Sequence, residues 1–102
     1  MDLSTILQQK NTTIIDVREP YEFAWGHVTG AINIPLGSIF HRLDEFRKME
    51  KPIVVYCRSG NRSEHAKLIL QAKGITEVYN GGGLGEMEYY LSKSAEAVAA
   101  AA

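Results

Sequence analysis

The sequence contains a single cysteine, Cys57, among its 102 residues. One cysteine cannot form a disulfide within the chain, so oxidation has no part in holding the fold together. A zinc site is also not expected, because there is no second cysteine and the histidines lack the spacing of metal ligands. We therefore expect the protein to work without a metal or any other cofactor.

Excess charge of one sign and long apolar runs are missing as well. Eleven basic and twelve acidic residues give a net charge of -1. Without a basic excess, nucleic acid is not a predicted partner. No apolar run approaches the roughly 20 residues that span a bilayer, so no membrane association is expected. The N-terminus has neither the basic head nor the apolar stretch of a signal peptide, which favours a cytoplasmic protein; a periplasmic protein whose signal peptide had been removed would look the same.

The length of the chain predicts one domain. We assign residues 1–93 to that domain. The remaining segment, 94–102, is rich in alanine. It is expected to extend the last helix, to be disordered or to derive from a cloning vector, and no function is assigned to it.

Apolar β-branched runs alternate with segments of helical spacing, which predicts an α/β fold with a mostly parallel sheet. The run over 53–56 is apolar on both faces, so it belongs at the centre of that sheet. Helical spacing predicts one helix over 36–49. The glycines over 81–83 predict a tight turn after a last short strand. In such sheets, ligands bind at the carboxyl ends of the strands.

Cys57 lies at one of these ends, between the central strand and a predicted helix. Backbone N–H groups and the positive end of a helix dipole surround that position. Arg58 and Arg62 add full positive charges, and both effects favour the nucleophilic thiolate over the thiol. A buried cysteine without chemistry is the common alternative, but such a residue would belong inside the apolar run. The polar surroundings therefore favour a reactive Cys57.

Three segments, in order, resemble the signature motifs of the rhodanese family of sulfurtransferases. Residues 16–23 (DVREPYEF) resemble its D-V-R-x-x-x-E-F opening, 26–35 (GHVTGAINIP) its G-H-I-x-G-A-x-N-I-P signature, and 55–63 (VYCRSGNRS) its active-site loop. Many members close with a glycine pair followed by a tryptophan, which this chain lacks. Its ending is similar to that of the small single-domain subgroup that includes phage shock protein E.

The resemblance implies an α/β, rhodanese-like fold with a central, mostly parallel five-stranded sheet and helices on both faces. It also implies a thiosulfate sulfurtransferase. Cys57 would take the outer sulfur of thiosulfate or a related small anionic donor such as a polysulfide, and pass it as a persulfide to cyanide or a thiol. A protein partner in a sulfur relay is a further acceptor that the family suggests.

The same resemblance assigns roles around the loop. Cys57 is the catalytic residue, and six residues are assigned to binding the substrate anion: Arg58, Ser59, Gly60, Asn61, Arg62 and Ser63. Asp16 and Arg18 are assigned to a supporting layer. For Asp16, pairing with a loop arginine and a purely structural role both stay open. Arg18 either faces the site or pairs with a carboxylate on the short helix that follows it.

Glu22 and His27 fit a local hydrogen bond that shapes the turn at Gly26 and His27.

Two other functions remain open for the chain as a whole. One is a cysteine phosphatase or arsenate reductase, which uses a related loop with five residues between cysteine and arginine; here only four intervene between Cys57 and Arg62. The other is a module that binds a partner without catalysis, against which the intact cysteine and arginines argue.

Overall fold

The computed structural model describes residues 2–101 of the chain, with side chains for residues 2–93. Four strands alternate with five α-helices and one 3₁₀ segment in that range. In chain order they are α1 (Leu3–Leu7), β1 (Thr13–Asp16), α2 (Pro20–Trp25), β2 (Ile32–Asn33), the 3₁₀ segment (Leu36–His41), α3 (Leu43–Lys48), β3 (Ile53–Cys57), α4 (Asn61–Ala72), β4 (Val78–Gly83) and α5 (Leu84–Ala101).

The strands form one parallel sheet in the order β2-β1-β3-β4. The predicted α/β class and parallel sheet are therefore confirmed, and β3 is an inner strand as its apolar sequence indicated. The expected count of five strands is wrong, because residues 2–101 contain four. The segment ahead of β1 places Leu3, Ile6 and Leu7 at helical spacing, and it forms α1, whose N-terminus is capped by the side chain of Asp2.

Both faces of the sheet are covered, as predicted for parallel strands. On one face, Ile53, Val55 and Cys57 pack with residues of the 3₁₀ segment, α3 and α4. On the other face, Val54 and Tyr56 pack with residues of α1 and α5. The alternation of side chains along β3 thus places Cys57 on the same side as α4, the helix that follows it.

Two local predictions fail. The helix expected over 36–49 is interrupted at Arg42, whose backbone (φ -127°, ψ 22°) is not helical, so a 3₁₀ segment and the short α3 replace it. The tight turn expected at the glycines is strand instead. Val55 pairs with Asn80, but Cys57 pairs with Gly83, so Gly81 and Gly82 together face Tyr56 in a β-bulge. The positive φ of Gly82 (82°) suits this bulge and requires glycine.

Helix α5 is long, and its backbone is described as far as Ala101. The predicted tail over 94–102 falls on this last part, where side chains lie outside the described residues, and its separate status stays a prediction. Within residues 2–101, no helix combines the length and the apolar character needed to cross a bilayer.

Candidate active site

Cys57 ends β3 and is buried. Gly60 forms the cap of α4 in the left-handed conformation (φ 98°), which turns the chain sharply from the strand into the helix. The sulfur consequently lies beside the first turn of α4, whose 12 residues make a substantial helix dipole. The strand-loop-helix arrangement predicted around Cys57 is present.

Hydrogen bonds hold the sulfur from the loop and from α4. The Gly60 N–H donates to Cys57 Sγ at 3.0 Å, and the Ser63 hydroxyl oxygen lies 3.4 Å from Sγ. Burial alone would raise the pKa of the Cys57 thiol. The Ser63 hydroxyl and the N–H groups of Ser63, Ser59 and Gly60 outweigh burial, and the pKa lies below its ordinary value. The loop therefore favours the reactive thiolate.

The side chain of Asn80 connects β4 to this loop, a contact that the sequence did not reveal. Its Oδ1 accepts hydrogen bonds from the Ser63 hydroxyl at 2.7 Å and from the Gly82 N–H at 2.9 Å. Its Nδ2 donates to the Gly60 carbonyl and to the Glu64 carboxylate, both at 3.1 Å. One side chain thus fixes both the loop and the first turn of α4.

Arg62 is held by Glu22 of α2. Its Nη1 and Nη2 donate to the two carboxylate oxygens of Glu22 at 2.6 and 3.0 Å. The Arg62 guanidinium lowers the pKa of Glu22 to about 2. The local bond predicted between Glu22 and His27 is wrong, since His27 Nδ1 contacts the carbonyl of Phe23 at 2.7 Å. Forty residues separate Glu22 from Arg62, so no local pattern could have revealed the pair.

We expect Glu22→Gln to destabilise the fold at pH 7 by on the order of 1–2 kcal/mol, since the partly exposed Arg62 is screened by solvent. The pKa of Glu22 falls from 4.5 to about 2 on folding, so the pair's contribution is complete above about pH 5 and is lost toward pH 2. Urea unfolding at several pH values measures this. Glu45→Gln removes the exposed pair with Arg42 and serves as control; an equal loss in both variants would contradict the assignment.

Arg58, Ser59 and Asn61 are exposed, and they form the part of the loop that solvent reaches. Ser63 is buried, and Gly60 and Arg62 are intermediate. Within residues 2–93, no acidic side chain pairs with Arg58. The six predicted loop residues are thus brought together around Cys57, and Arg58 is the loop arginine whose charge is not matched by a carboxylate in that range.

Asp16 and Arg18 form a buried pair with each other. Arg18 Nη2 donates to Asp16 Oδ2 at 2.8 Å and to the Gly26 carbonyl at 2.7 Å, and its guanidinium lies over the Tyr56 ring. Asp16 therefore pairs with Arg18 rather than with a loop arginine, and Arg18 does not pair with a carboxylate of α2. Both lie on the Tyr56 side of the sheet, opposite Cys57, where they tie the end of β1 to the turn at Gly26.

Gly83 of β4 touches the backbone of the loop. A Cβ atom at this position would collide with the Arg58 carbonyl oxygen. Glycine is therefore required for the close approach of strand and loop. The three glycines, for which the sequence predicts a turn, instead belong to β4, and Gly83 packs directly against the loop backbone.

No group of three or more histidine, cysteine, aspartate or glutamate residues able to hold a metal occurs in the part of the chain that the structure describes. The N–H donors around Cys57 Sγ and the arginines at the rim of the loop would stabilise negative charge on that sulfur or on an atom bonded to it.

The family model described as the rhodanese-like domain matches residues 2–85. The chain belongs to the rhodanese-like family. It is 44% identical over 71 residues to the thiosulfate sulfurtransferase PspE of Escherichia coli (strain K12), covering 69% of this chain and 68% of that protein. The resemblance drawn from the three motifs is thereby confirmed, including the similarity to phage shock protein E.

Solved structures agree on the fold of this rhodanese-like chain. A structure titled "rhodanese with anions from E. coli" superposes with a TM-score of 0.67 at 41% identity, covering 74% of this chain and 89% of that one. The human single-domain sulfurtransferase TSTD1 also superposes with a TM-score of 0.67, at 27% identity, covering 89% and 90%.

Other relatives of the rhodanese-like chain are longer. The uncharacterized protein YqhL of Bacillus subtilis (strain 168) is 45% identical over 71 residues, which cover 70% of this chain but 56% of that protein. A tRNA uridine(34) hydroxylase of Buchnera aphidicola is matched over 27% of its length. The rhodanese-like domain thus occurs both alone and within larger proteins.

Proposed function

We propose that this chain is a thiosulfate sulfurtransferase that works through a persulfide on Cys57. The Cys57 thiolate attacks the outer sulfur of thiosulfate, a new S–S bond forms, and the bond to the sulfonate sulfur breaks with release of sulfite. A second nucleophile, cyanide or a thiol, then attacks the outer sulfur and releases the Cys57 thiolate. Each half-reaction is a displacement at sulfur, as in covalent catalysis generally.

The observation that carries this proposal is the set of donors around a buried sulfur. A persulfide is an anion, and the N–H groups and the Ser63 hydroxyl that lower the pKa of the Cys57 thiol also suit a negative sulfur one bond further out. The names of relatives support the same reaction: PspE and the two GlpE proteins of Ectopseudomonas mendocina and Pseudomonas syringae are called thiosulfate sulfurtransferases.

The size of the loop favours a sulfurtransferase over a cysteine phosphatase. A phosphatase loop needs room for a tetrahedral phosphate over the thiolate. Here Gly60 donates directly to the sulfur, and Asn80 holds the Gly60 carbonyl from behind, so the loop is closed tightly around one atom. Transfer of a sulfur atom suits this space better than transfer of a phosphoryl group.

Initial-velocity measurements of thiocyanate formation test the proposal. With thiosulfate and cyanide varied, we expect saturation in both and parallel lines in double-reciprocal plots, the pattern of a covalent intermediate. Hydrolysis of para-nitrophenyl phosphate by the same preparation serves as the comparison. Turnover of the phosphate ester with no thiocyanate formed would replace the proposal with the phosphatase alternative.

Arg58→Ala is expected to raise KM for thiosulfate by about tenfold with little change in kcat, because it removes a charge-assisted contact to the anion made in the ground state and transition state alike. The effect should shrink at high salt. Arg47→Ala, which removes an exposed arginine on α3, is the matched control. An unchanged KM in Arg58→Ala would remove this residue from donor binding.

The cellular acceptor is a separate part of the proposal. A putative sulfur carrier protein, YrkF of Bacillus subtilis, is 35% identical over 71 residues, and this supports a protein thiol as acceptor. The exposed rim of the loop at Arg58 and Ser59 is where such a partner would approach.

A further inference from the structure

The Ser63 hydroxyl lies between two acceptors that compete for its single hydrogen. Asn80 Oδ1 lies 2.7 Å from the hydroxyl oxygen on one side, and Cys57 Sγ lies 3.4 Å from it on the other. We propose that Asn80 is a positioning residue for Cys57: it holds the Ser63 hydroxyl hydrogen while the sulfur is a thiol and releases it when the sulfur becomes negative. This inference rests on the proposed function in that Cys57 is the reacting atom.

In the neutral state, the shorter of the two contacts decides the arrangement of hydrogens. The Ser63 hydroxyl donates to Asn80 Oδ1, so its oxygen is left to accept from the Cys57 thiol. The resulting chain runs from S–H to O–H to the amide carbonyl. No buried side-chain nitrogen or oxygen in the described part of the chain lacks a partner.

The negative state has another arrangement. A charged sulfur is a stronger acceptor than a neutral amide oxygen, and the buried site strengthens that preference. The Ser63 hydroxyl therefore turns from Asn80 to Sγ. Asn80 Oδ1 still accepts from the Gly82 N–H at 2.9 Å, so the rotation leaves no acceptor unpaired. The Ser63 hydroxyl can thus donate to the thiolate without leaving Asn80 Oδ1 unpaired.

Asn80 also braces the loop through its Nδ2, which holds the Gly60 carbonyl and Glu64. Replacement by alanine or by aspartate removes both of these bonds, and aspartate also places a carboxylate oxygen near the Gly60 carbonyl and the Glu64 carboxylate. The two variants differ at the acceptor: alanine has none, whereas aspartate holds the Ser63 hydrogen more firmly. The part of their difference that depends on Ser63 therefore separates the hydroxyl switch from loop bracing.

Charged and titratable groups around the cluster are unchanged in this comparison. They are Arg58, Arg62, Glu64 and Lys67 from the loop and α4, Glu22 from α2, and Glu86 and Tyr90 from α5. The charge that aspartate adds at position 80 is the one new electrostatic contribution. It is measured separately by repeating the comparison in a Ser63→Ala background.

The test is the pH dependence of iodoacetamide alkylation of Cys57, which reports the thiolate fraction and needs no sulfur donor. We expect the midpoint in Asn80→Asp to lie at least about one pH unit above that in Asn80→Ala. In the Ser63→Ala background that gap should shrink. An undiminished gap would mean that the added charge acts alone, and no gap would mean that Asn80 only braces the loop; either result overturns the proposal.

A second measurement leaves Asn80 in place, so it does not depend on whether its variants fold. In the unaltered protein, the carboxamide ¹³C resonance of Asn80 should titrate with the Cys57 midpoint, and most of that shift should disappear in Ser63→Ala. Asn33, whose Nδ2 donates to the backbone of Asp16 and Arg18, is the internal control. An Asn80 resonance that does not titrate, or titrates equally in both proteins, contradicts the switch.

Failure of the two proposals is distinguishable. Neither alkylation nor the carboxamide resonance involves sulfur transfer. A protein with the expected midpoints but no thiocyanate formation would refute the proposed reaction and retain the role of Asn80. Normal sulfur transfer with no Ser63-dependent gap would do the reverse.

Discussion

Replacing Cys57 with alanine is expected to reduce sulfur transfer to the rate without enzyme while the chain still folds. Cys57 is the single cysteine, and the proposed reaction requires a sulfur nucleophile that becomes a persulfide. Its side chain packs in the core, so truncation costs about 1 kcal/mol of folding free energy for the lost apolar atom. Thiocyanate formation and urea unfolding measure the two effects separately.

Cys57→Ser and Ser63→Ala sharpen this experiment. Serine retains the polarity of the position but is a poor nucleophile at neutral pH, so it should be as inactive as alanine. Ser63→Ala removes one donor to the sulfur and should weaken transfer without abolishing it. Substantial activity in either Cys57 variant would remove the cysteine from the mechanism.

Gly83→Ala is expected to displace the active-site loop and to lower both stability and activity. The added methyl group would overlap the Arg58 carbonyl oxygen, so either β4 or the loop must move. Overpacking of this kind typically costs about 1–3 kcal/mol. Because the Gly60 N–H that donates to Cys57 Sγ belongs to the loop, kcat/KM should fall by more than about tenfold, since displacing a catalytic group commonly slows a reaction by at least that factor.

Gly85→Ala is the matched control for Gly83→Ala. It lies two residues further on, in α5, and a Cβ there would meet no atom within 4 Å. Alanine is the better helix former, so this variant should be as stable as the parent or more so, by up to about 1 kcal/mol. Normal activity in Gly83→Ala would show that the loop tolerates displacement and that Gly83 does not support the geometry of the site.

The position of Cys57 could be predicted from sequence because its determinants are local. An apolar run that stops at a cysteine, followed by glycine and a helical pattern, specifies strand, loop and helix in order. The parallel sheet followed from the same alternation. The count of five strands, by contrast, came from the resemblance to a family, whereas residues 2–101 contain four.

The partners of the site residues could not be predicted because they come from distant parts of the chain. Glu22 and Arg62 meet because α2 lies beside the first turn of α4, and Asn80 meets Ser63 because β4 runs next to β3. Asp16 has an arginine two residues away, and that short-range pair prevailed over a loop arginine. A single sequence shows which charges exist but not which of them meet.

The bulge in β4 was hidden for a different reason. Consecutive glycines commonly mark a turn, so the sequence at Gly81 to Gly83 predicts one. The glycines instead serve close packing: a Cβ at Gly81 would collide with Met87 of α5, and one at Gly83 with the loop. The pairing of β4 with β3 shows that these glycines pack closely against α5 and the loop and do not form a turn.

Intact-protein mass spectrometry after incubation with thiosulfate tests the persulfide on Cys57 most directly. We expect a mass increase of one sulfur atom, located on Cys57, lost on addition of cyanide with formation of thiocyanate, and absent in Cys57→Ala. An unmodified mass in a protein that nevertheless turns thiosulfate and cyanide into thiocyanate would contradict the persulfide mechanism.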